Sequence, residues 1–420
     1  MSTTTAPGPA APPAPGRARS LTSRLDSALT SYYLVLGATV ALVCIGLVMV
    51  LSSSSVDSMA QGASAFAVFW RQAIFAAIGL PVMLAASRVP VRVWRAGAWP
   101  LLLLAVLLQL LVFVPGLGKV VNGNRNWIAV GGFTMQPSEA CKLALIVWAA
   151  AVLCRKRQLL HRPMHALVPV VPGAMLVLGL VLLGHDLGTA LILIAIVATV
   201  LLMAGAPLRL FGWGLLLAGF AIEILVAGNQ NRMGRIGTWA EGCTNQVDYH
   251  GACWQTIHGK YALASGGWWG YGLGASREKW GLLPEAHNDF IFAVIGEELG
   301  LVGTMAVLAL FAILGFGLFR IVLRTDDMFV KIATSGVLTW VLGQAIVNIG
   351  AVLGLLPVIG LPLPLVSSGG SALVTTLAAL GMAIGFARRE AGAAEALAAR
   401  AGLVRRSLAV LPVRRHGRTR

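Results

Sequence analysis

The chain has few charged side chains for its length. Asp, Glu, Lys and Arg make up 11% of its 420 residues, whereas a soluble domain usually carries about 25%. Hydrophobic residues make up 57%. Apolar runs of about 20 residues recur along the chain, each long enough to cross about 30 Å of hydrocarbon. One soluble core does not account for so many runs, so the sequence predicts a membrane protein.

Ten apolar segments are predicted to be transmembrane helices, which makes the fold class all-α and polytopic. The longest connection, 228–288 between the seventh and eighth helices, is predicted to be a large extracytoplasmic loop. No internal repeat is evident, which argues against a generic secondary transporter because such folds usually contain repeats. The predicted helices are 31–53, 67–87, 98–117, 137–154, 165–184, 187–205, 208–227, 289–319, 328–356 and 365–387.

Acidic residues are half as numerous as basic ones, and the net charge is +16. Such a charge is typical of nucleic-acid-binding proteins, but the positions of the charges argue against that function. With the N-terminus inside, most of the 32 Lys and Arg residues fall in the tails and the inner loops. This asymmetry is the positive-inside pattern of membrane proteins. We therefore expect cytoplasmic termini, contact with anionic membrane lipid and no nucleic-acid partner.

The two ends of the chain differ from the predicted membrane domain, 31–388. The N-terminal end lacks a charged start, an apolar stretch and a cleavage site, so it is not a signal peptide. Its Ala, Pro, Ser and Thr content predicts a disordered cytoplasmic tail over 1–30. Residues 389–420 are predicted to be a basic cytoplasmic tail. Within it, 390–412 is either a helix on the inner membrane surface or solvated chain.

Cysteine is also scarce, with five residues, and offers too few ligands for a metal site. Cys243 and Cys253 share the longest outer loop, where an oxidising exterior would allow a disulfide. Two free or separately buried thiols are the alternative. The other cysteines lie in apolar segments and are expected to pack as small hydrophobic side chains: Cys44, Cys141 and Cys154.

Polar residues concentrate in four outer segments that are rich in Gly and Pro. Irregular backbone at membrane depth must be sheltered by protein or line a wet cavity. Four such segments on one face therefore predict a single cavity that opens to the outside. The segments are 121–142, 184–190, 228–288 and 348–371.

The first two outer segments each lead into a predicted helix. Pro137 suits the first turn of a helix, and Glu139 and Lys142, three residues apart, share one helix face. A charged pair entering hydrocarbon is costly and often functional, although a helix-start cap with an interfacial lysine is the alternative. Asp186 is either a cap of the sixth helix or, with His185, a contact to substrate or a cation.

Asp289 is the most specific candidate in the chain, at the end of the third segment. It follows His287 and Asn288 and leads directly into an apolar helix, so it is either an N-cap or a functional carboxylate. Glu297 and Glu298 lie deeper in the same helix and need partners or a wet cavity. Other basic residues of the segment are Arg232, Arg235 and Lys279.

The same segment contains the run GGWWGYGLG, 266–274. Glycines at this density either let the backbone approach a ligand closely or mark a flexible loop. The tryptophans are compatible with sugar stacking or with anchoring at the membrane interface, and we favour anchoring for at least one of them.

Three prolines interrupt the apolar run of the fourth segment. Pro357, Pro362 and Pro364 divide it into a helix end and an extended or re-entrant piece. Ser367 and Ser368, followed by two glycines, then offer hydroxyls and accessible amides at a helix start, a feature suited to phosphate binding. A kinked connection without binding function is the alternative.

The motifs of these segments carry a family resemblance. They are VNGNRNWI with QPSEACKL, DLGTA, GGWWGYGLG with LPEAHNDFIFAVIGEELG, and NIGAVLGLLPVIGLPLPLVSSGGS, and they occur in this order. Over 31–388 the chain resembles the SEDS family (shape, elongation, division and sporulation), and its FtsW branch more than its RodA branch. It departs from the family in reading GHDLG where QPDLG is common and SSGG where SYGG is common.

The resemblance implies a peptidoglycan glycosyltransferase that polymerises lipid II into glycan strands outside the cytoplasmic membrane. It also implies partners, namely a class B penicillin-binding protein (an FtsI-like transpeptidase) and other divisome proteins. The essential loop aspartate of the family corresponds to Asp289, and its PSE-x-x-K motif supplies Glu139 and Lys142. We expect a role in septal wall synthesis during cell division, and a RodA-like role in elongation is the alternative.

In the implied reaction an acceptor hydroxyl attacks the anomeric carbon of the donor, and the lipid pyrophosphate leaves. Asp289 is the candidate base and Lys142 its candidate cationic neighbour, because both lie at outer helix ends. A divalent cation, Mg²⁺ or Mn²⁺, held partly by Asp289 is an alternative source of positive charge, although the sequence shows no complete metal site. Candidate pyrophosphate ligands are Arg125, Arg232, Arg235 and Lys279. Further candidate substrate-binding residues are Glu139, His287, Asp186, Ser367 and Ser368.

Two other functions were weighed against polymerisation. A lipid II flippase needs gating charges deep in its helices, whereas most ionisable residues here lie near the outer helix ends. A structural division protein with a degenerate site is disfavoured because every named position holds a competent residue. Incubation with lipid II on the accessible face separates these alternatives, since only a polymerase makes glycan chains.

Overall fold

The structure, a computed structural model, describes most of the chain between the two tails. The described residues are 29–121, 123–130, 133–160, 163–227, 253–390 and 233, 237, 239, 240, 242, 243, 392 and 393. Almost all of the predicted tails, 1–30 and 389–420, lies outside the described residues, as do Arg232 and Arg235.

The chain folds as a polytopic helical membrane protein, and the predicted fold class is confirmed. Each of the ten predicted spans contains a helix, and six helices are long and apolar enough to cross a bilayer by themselves. The helices are α1 (Thr30–Ala60), α2 (Ala67–Ala86), α3 (Val91–Ala96), α4 (Ala98–Leu111), α5 (Pro137–Arg155), α6 (Pro163–Leu167), α7 (Val170–Leu183), α8 (Leu187–Met203), α9 (Arg209–Ala227), α10 (Trp254–Ser265), α11 (Ile291–Arg324), α12 (Met328–Val352) and α13 (Gly370–Ala387).

Several predicted helix ends were wrong, and proline explains two of them. Pro169 has no N–H to donate, and the predicted helix 165–184 is divided there into α6 and α7. The predicted start of the last helix at residue 365 is early, because the chain after Pro362 and Pro364 forms a turn over 364–366 and α13 begins only at Gly370. The third predicted helix, 98–117, ends at Leu111 rather than at residue 117.

The first outer segment forms a small antiparallel sheet that the prediction missed. Its strands are β1 (Gly118–Val121), β2 (Asn124–Val130) and β3 (Phe133–Met135), in the spatial order β1-β2-β3. Val121 pairs with Asn124 across a tight turn, in which Gly123 has a φ of +80°. The sequence signal for this turn was the Asn-Gly pair, which is favoured where φ is positive.

Helix α5 lies at the centre of the bundle. Almost all of its side chains are buried, and it packs against α4, α8, α12 and α13. Helix α11 packs on α1 and α12, and α13 packs on α2. The polar residues at the outer end of α5 are therefore enclosed by protein and not by lipid.

Gly300 divides α11 into two parts. Its φ of +66° and ψ of −162° interrupt the helix between 291–299 and 301–324. The second part is about 36 Å long, enough to cross the hydrocarbon layer. The first part is almost completely buried, and it begins two residues after Asp289.

Candidate active site

Asp289 lies in the turn before α11, at one end of the helical bundle. The helix begins at Ile291 with Phe290 at the N-cap, so the predicted helix start at Asp289 was two residues early. The Asp289 side chain is partly exposed. Its main-chain oxygen accepts a hydrogen bond of 2.8 Å from Asn348 Nδ2 on α12. The backbone of the Asp289 turn is thus held by a contact to α12.

A small cleft of about 10 Å³, with room for about one water-sized group, lies beside Asp289. One wall is the outer part of α12, and the other is the extended chain 358–361. Gly360 has a φ of +73°, and a Cβ at this position would lie 3.7 Å from Asp289 Oδ2. That distance is an ordinary van der Waals contact, so it is the positive φ, and not the space, that favours glycine here.

Two amide side chains of α12 hold the non-helical chain 358–369, which we call the re-entrant strap. Asn348 Nδ2 donates to Leu361 O at 2.7 Å as well as to Asp289 O. Gln344, one turn away, donates through Nε2 to Pro362 O at 2.9 Å. Carbonyl groups of an irregular segment need partners when they are buried, and these amides supply them. Asn348 therefore couples the strap to the Asp289 turn.

The serines of the fourth segment also join the strap to the Asp289 turn. Ser367 Oγ donates to Asn288 O at 2.6 Å and accepts from Leu363 N at 2.8 Å. Ser368 N donates to His287 O at 3.1 Å. Because the Ser367 hydroxyl is buried and engaged on both sides, its prediction as a phosphate ligand was wrong. The Ser368 side chain is partly exposed and stays a candidate.

Lys142 is fully buried, and its ammonium contacts no carboxylate other than Glu139 among the described residues. Nζ lies 2.7 Å from Glu139 Oε1 and 2.9 Å from Gln344 Oε1, and it lies over the ring of Trp340. The predicted shared face of Glu139 and Lys142 is confirmed. That Lys142 is also the cationic neighbour of Asp289 stays a prediction. Lys142 bears on the site through Gln344 and the strap.

Asp186 is the N-cap of α8, as one of its two interpretations predicted. Its carboxylate accepts from Thr189 N at 2.9 Å and from Thr189 Oγ1 at 2.8 Å. It also accepts from Gln136 Nε2 at 2.9 Å, while Gln136 N donates to Ser371 Oγ at 3.1 Å. These bonds join the first, second and fourth outer segments.

His287 and Arg125 lie at the edges of this assembly. His287 Nδ1 is 3.7 Å from Asp57 Oδ2 on α1, and both side chains are partly exposed. Arg125 is on β2, and its main-chain N–H donates to Gly184 O at 3.0 Å. Both side chains remain predicted substrate contacts.

The prediction that Lys279 contacts pyrophosphate was wrong. Its side chain is buried, and Nζ donates to Glu298 Oε1 at 2.9 Å, to Gly274 O at 2.7 Å and to Ser52 O at 3.3 Å. With Ser52 Oγ, also at 3.3 Å, four oxygens surround this ammonium and leave it no accessible face for a ligand. The expected partner of Glu298 is therefore found within the protein.

The predicted pairing of Cys243 with Cys253 is confirmed as a disulfide. The alternative of two separate thiols is excluded. The bond closes the part of the third outer segment that leads into α10.

The sequence belongs to one protein family over nearly its whole length. A family model described as cell cycle protein, covering FtsW, RodA and SpoVE, matches residues 33–391. The chain belongs to this family. The SEDS resemblance of the motifs is thereby confirmed.

Relatives of this family extend the match to named proteins. A probable peptidoglycan glycosyltransferase FtsW of Mycobacterium tuberculosis is 40% identical over 395 residues, which is 93% of this chain and 75% of the relative. Stage V sporulation protein E of Bacillus subtilis is 36% identical over 83% of this chain and 95% of the relative.

Solved structures show the same SEDS fold. The RodA protein of Thermus thermophilus superposes with a TM-score of 0.63 at 28% identity, over 85% of this chain and 97% of that one. A chain from a structure described as "Structural coordination of polymerization and crosslinking by a peptidoglycan synthase complex" gives a TM-score of 0.68 at 28% identity, covering 84% and 96%.

Sequence reasoning missed four residues around the SEDS aspartate. Gln344 and Asn348 are buried polar residues in an apolar helix, and that position was the signal that could have identified them. Gly360 lies three residues after Pro357 in a segment predicted to be extended or re-entrant, and Asp57 lies beyond the predicted end of the first helix. Their importance comes from contacts between distant parts of the chain.

Proposed function

We propose that this chain polymerises lipid II into the glycan strands of peptidoglycan at the outer face of the cytoplasmic membrane, for the septal wall of dividing cells. As a peptidoglycan glycosyltransferase it joins lipid-linked sugars, which is the activity named for its FtsW relatives. The observation that carries the proposal is the partly exposed Asp289 carboxylate beside a cleft, on a turn held by Asn348 and Ser367.

The chemistry follows from the position of Asp289 on the cleft wall. A hydroxyl of the acceptor sugar enters the cleft, and the carboxylate accepts its proton as the oxygen bonds to the anomeric carbon of the donor. The bond between that carbon and the pyrophosphate oxygen breaks, and the lipid pyrophosphate leaves with the electron pair. A positioned base of this kind typically contributes about 10²–10⁴ in rate.

The leaving pyrophosphate needs positive charge near it, and two buried lysines are engaged elsewhere. Lys142 and Lys279 are bound to Glu139 and Glu298. Arg125 is therefore the described candidate, with Arg232 and Arg235 as candidates outside the described residues. Guanidinium groups suit this task because they bind phosphate oxygens through two parallel hydrogen bonds.

A divalent cation, Mg²⁺ or Mn²⁺, is the other source of charge. Hard cations prefer oxygen ligands. The Asp289 carboxylate and Asn348 Oδ1 would hold it, since Asn348 lines the same cleft and its buried Oδ1 accepts no hydrogen bond from the described residues. When bound, the ion would stabilise negative charge on the pyrophosphate.

The partner is a class B penicillin-binding protein with transpeptidase activity, FtsI-like, together with other divisome proteins. A structural neighbour supports this part of the proposal, because its description names the coordination of polymerization and crosslinking by a peptidoglycan synthase complex. The termini are cytoplasmic and the active site is extracytoplasmic. Support comes from the basic residues that lie at the end of the bundle opposite Asp289, including Arg95, Arg320 and Arg324.

Polymerisation by the purified chain tests the proposal. The protein is reconstituted with lipid II on its accessible face, with and without a cognate class B penicillin-binding protein, and glycan chain length is measured on gels. Glycan chains are the expected product. Transfer of lipid II across vesicles without any polymer would identify a flippase instead and would remove the proposed function.

Removal of the Asn348 amide is expected to slow catalysis and to leave substrate binding nearly unchanged. Asn348→Leu deletes the bonds to Asp289 O and Leu361 O and lets the turn shift against the strap. A misplacement of about 1 Å can cost about 10² in rate. We expect kcat to fall by about that factor, with little change in the KM for lipid II.

Gln109→Leu is the matched control for this variant. Gln109 is also a buried amide, but it lies on α4 and donates to neither the strap nor the Asp289 turn among the bonds of the described residues. It should leave kcat unchanged. An equal loss of kcat in both variants would mean that Asn348 acts only through general stability.

A further inference from the structure

The segment 266–282, which we call the aromatic loop, exposes large apolar side chains that the proposed reaction does not use. Trp268 and Trp269 have 70% and 80% of their surface exposed. Tyr271, Leu273 and Trp280 are also exposed. Isolated exposed apolar residues are ordinary, but a contiguous group of this size marks an interaction surface.

The aromatic loop is held rigidly by the helix break at Gly300. Tyr271 N and Gly272 N donate to the carbonyls of Glu297 and Glu298, at 3.0 and 2.9 Å. On the other side of the break, Leu301 N donates to Gly267 O at 2.9 Å and Val302 N to Trp268 O at 3.2 Å. The loop thus replaces the helical bonds that the break removes.

Side chains add a second set of contacts to the aromatic loop. Glu297 accepts from Arg277 N at 2.7 Å and also binds the Ser276 hydroxyl. Glu298 binds Lys279 and Ser52. Two buried glutamates therefore fix the loop against α11 and α1, and the glycine-rich run 266–274 is an ordered element rather than a flexible one.

The position of the aromatic loop along the membrane normal follows from α1 and α11, which run side by side through the bundle. Arg320 on α11 donates to Ser31 on α1 at 3.1 Å, near the basic end. Gly300 lies about 20 residues from Arg320, which is about 30 Å along a helix. Ser52, which contacts Glu298 beside the break, lies at nearly the same distance from Ser31. Both helices therefore reach the outer boundary of a hydrocarbon layer about 30 Å thick at this level.

Exposure along α11 marks the same boundary. The residues before the break, 291–298, are all buried, whereas Leu301, Val302 and Met305 are exposed and apolar. The exposed face of 301–324, the part of α11 that is long enough to span the membrane, begins beside Val302, whose N–H donates a hydrogen bond to Trp268 O. The surface of the aromatic loop is thus continuous with the lipid-facing surface of α11.

We propose that the aromatic loop is a lipid anchor that places Trp268 and Trp269 in the headgroup region of the outer leaflet. Tryptophan is enriched at this depth because its ring is apolar and its N–H is polar. The loop is rigid and is followed directly by the Asp289 turn. Anchoring therefore sets the height of the carboxylate above the bilayer, where the polar part of any lipid-linked substrate lies. The anchoring itself is independent of glycosyl transfer.

Fluorescence quenching in nanodiscs tests the anchor. The full chain is placed in phosphatidylcholine whose acyl chains are unlabelled, brominated near the headgroup or brominated near the bilayer centre. We compare wild type with the W268F/W269F double variant. The emission lost to shallow bromine should exceed that lost to deep bromine, and the double variant should lack most of this shallow component.

Trp254→Phe is the matched control, because this tryptophan lies in the same outer segment but packs inward. Its Nε1 donates to Leu282 O, and its ring lies 4.1 Å from that of His258. The control should keep the shallow component. If W268F/W269F keeps it too, or if acrylamide in water rather than bromolipid quenches these two residues, the loop faces solvent or a protein partner and the anchor is refuted.

Discussion

Asp289→Asn should abolish glycan polymerisation while the protein stays folded in the membrane. Asparagine has nearly the shape of aspartate, and the bond from Asn348 Nδ2 goes to the main-chain oxygen, so the turn and the cleft should persist. The amide cannot accept the proton of the attacking hydroxyl. We expect a loss of about 10²–10⁴ in kcat, measured as glycan formed from lipid II by the purified variant.

Glu285→Gln is the matched control for Asp289→Asn. Glu285 is a partly exposed acid on the same turn, and its carboxylate accepts a weak bond of 3.4 Å from Asn288. Its neutralisation should leave polymerisation near the wild-type rate. Normal polymer formation by Asp289→Asn would exclude the carboxylate from catalysis, and equal losses in both variants would point to a general effect of charge on the turn.

The parts of the fold that depend on local sequence were predictable. Apolar runs placed all ten membrane segments, because crossing hydrocarbon requires about 20 apolar residues wherever they occur. The helix repeat placed Glu139 beside Lys142, and Asp186 caps the helix that follows it. The pairing of Cys243 with Cys253 could be predicted because both cysteines lie in one predicted outer loop.

The parts that depend on distant contacts were not predictable from one sequence. The helix repeat predicts Glu139 as a partner of Lys142, but the second hydrogen-bond partner of this lysine, Gln344, is on another helix. No proline precedes Gly300, so the sequence does not predict the helix break there. The break is tolerated because the aromatic loop forms main-chain hydrogen bonds on both sides of it. A single sequence gives the segments and their polarity, but not which segment satisfies which buried group.

Lys279→Met should destabilise the protein more than any surface substitution. The lysine and Glu298 form a buried ion pair, with 2% and 0% of their side chains exposed. Removal of one partner leaves an uncompensated buried carboxylate, which typically costs about 3–5 kcal/mol. We expect thermal unfolding in detergent to begin at a clearly lower temperature. Arg95→Met is the matched control, since the Arg95–Asp327 pair is partly exposed and should contribute less than about 1 kcal/mol.

The double variant K279M/E298Q separates a structural role of Lys279 from a role in binding substrate. Neutralising Glu298 removes the buried charge that Lys279→Met leaves behind, so part of the stability should return. If Lys279 only supports the aromatic loop, polymerisation should recover with stability and the KM for lipid II should stay near its wild-type value. If the ammonium instead binds pyrophosphate, the KM should remain raised in the double variant, and the structural assignment of Lys279 would be wrong.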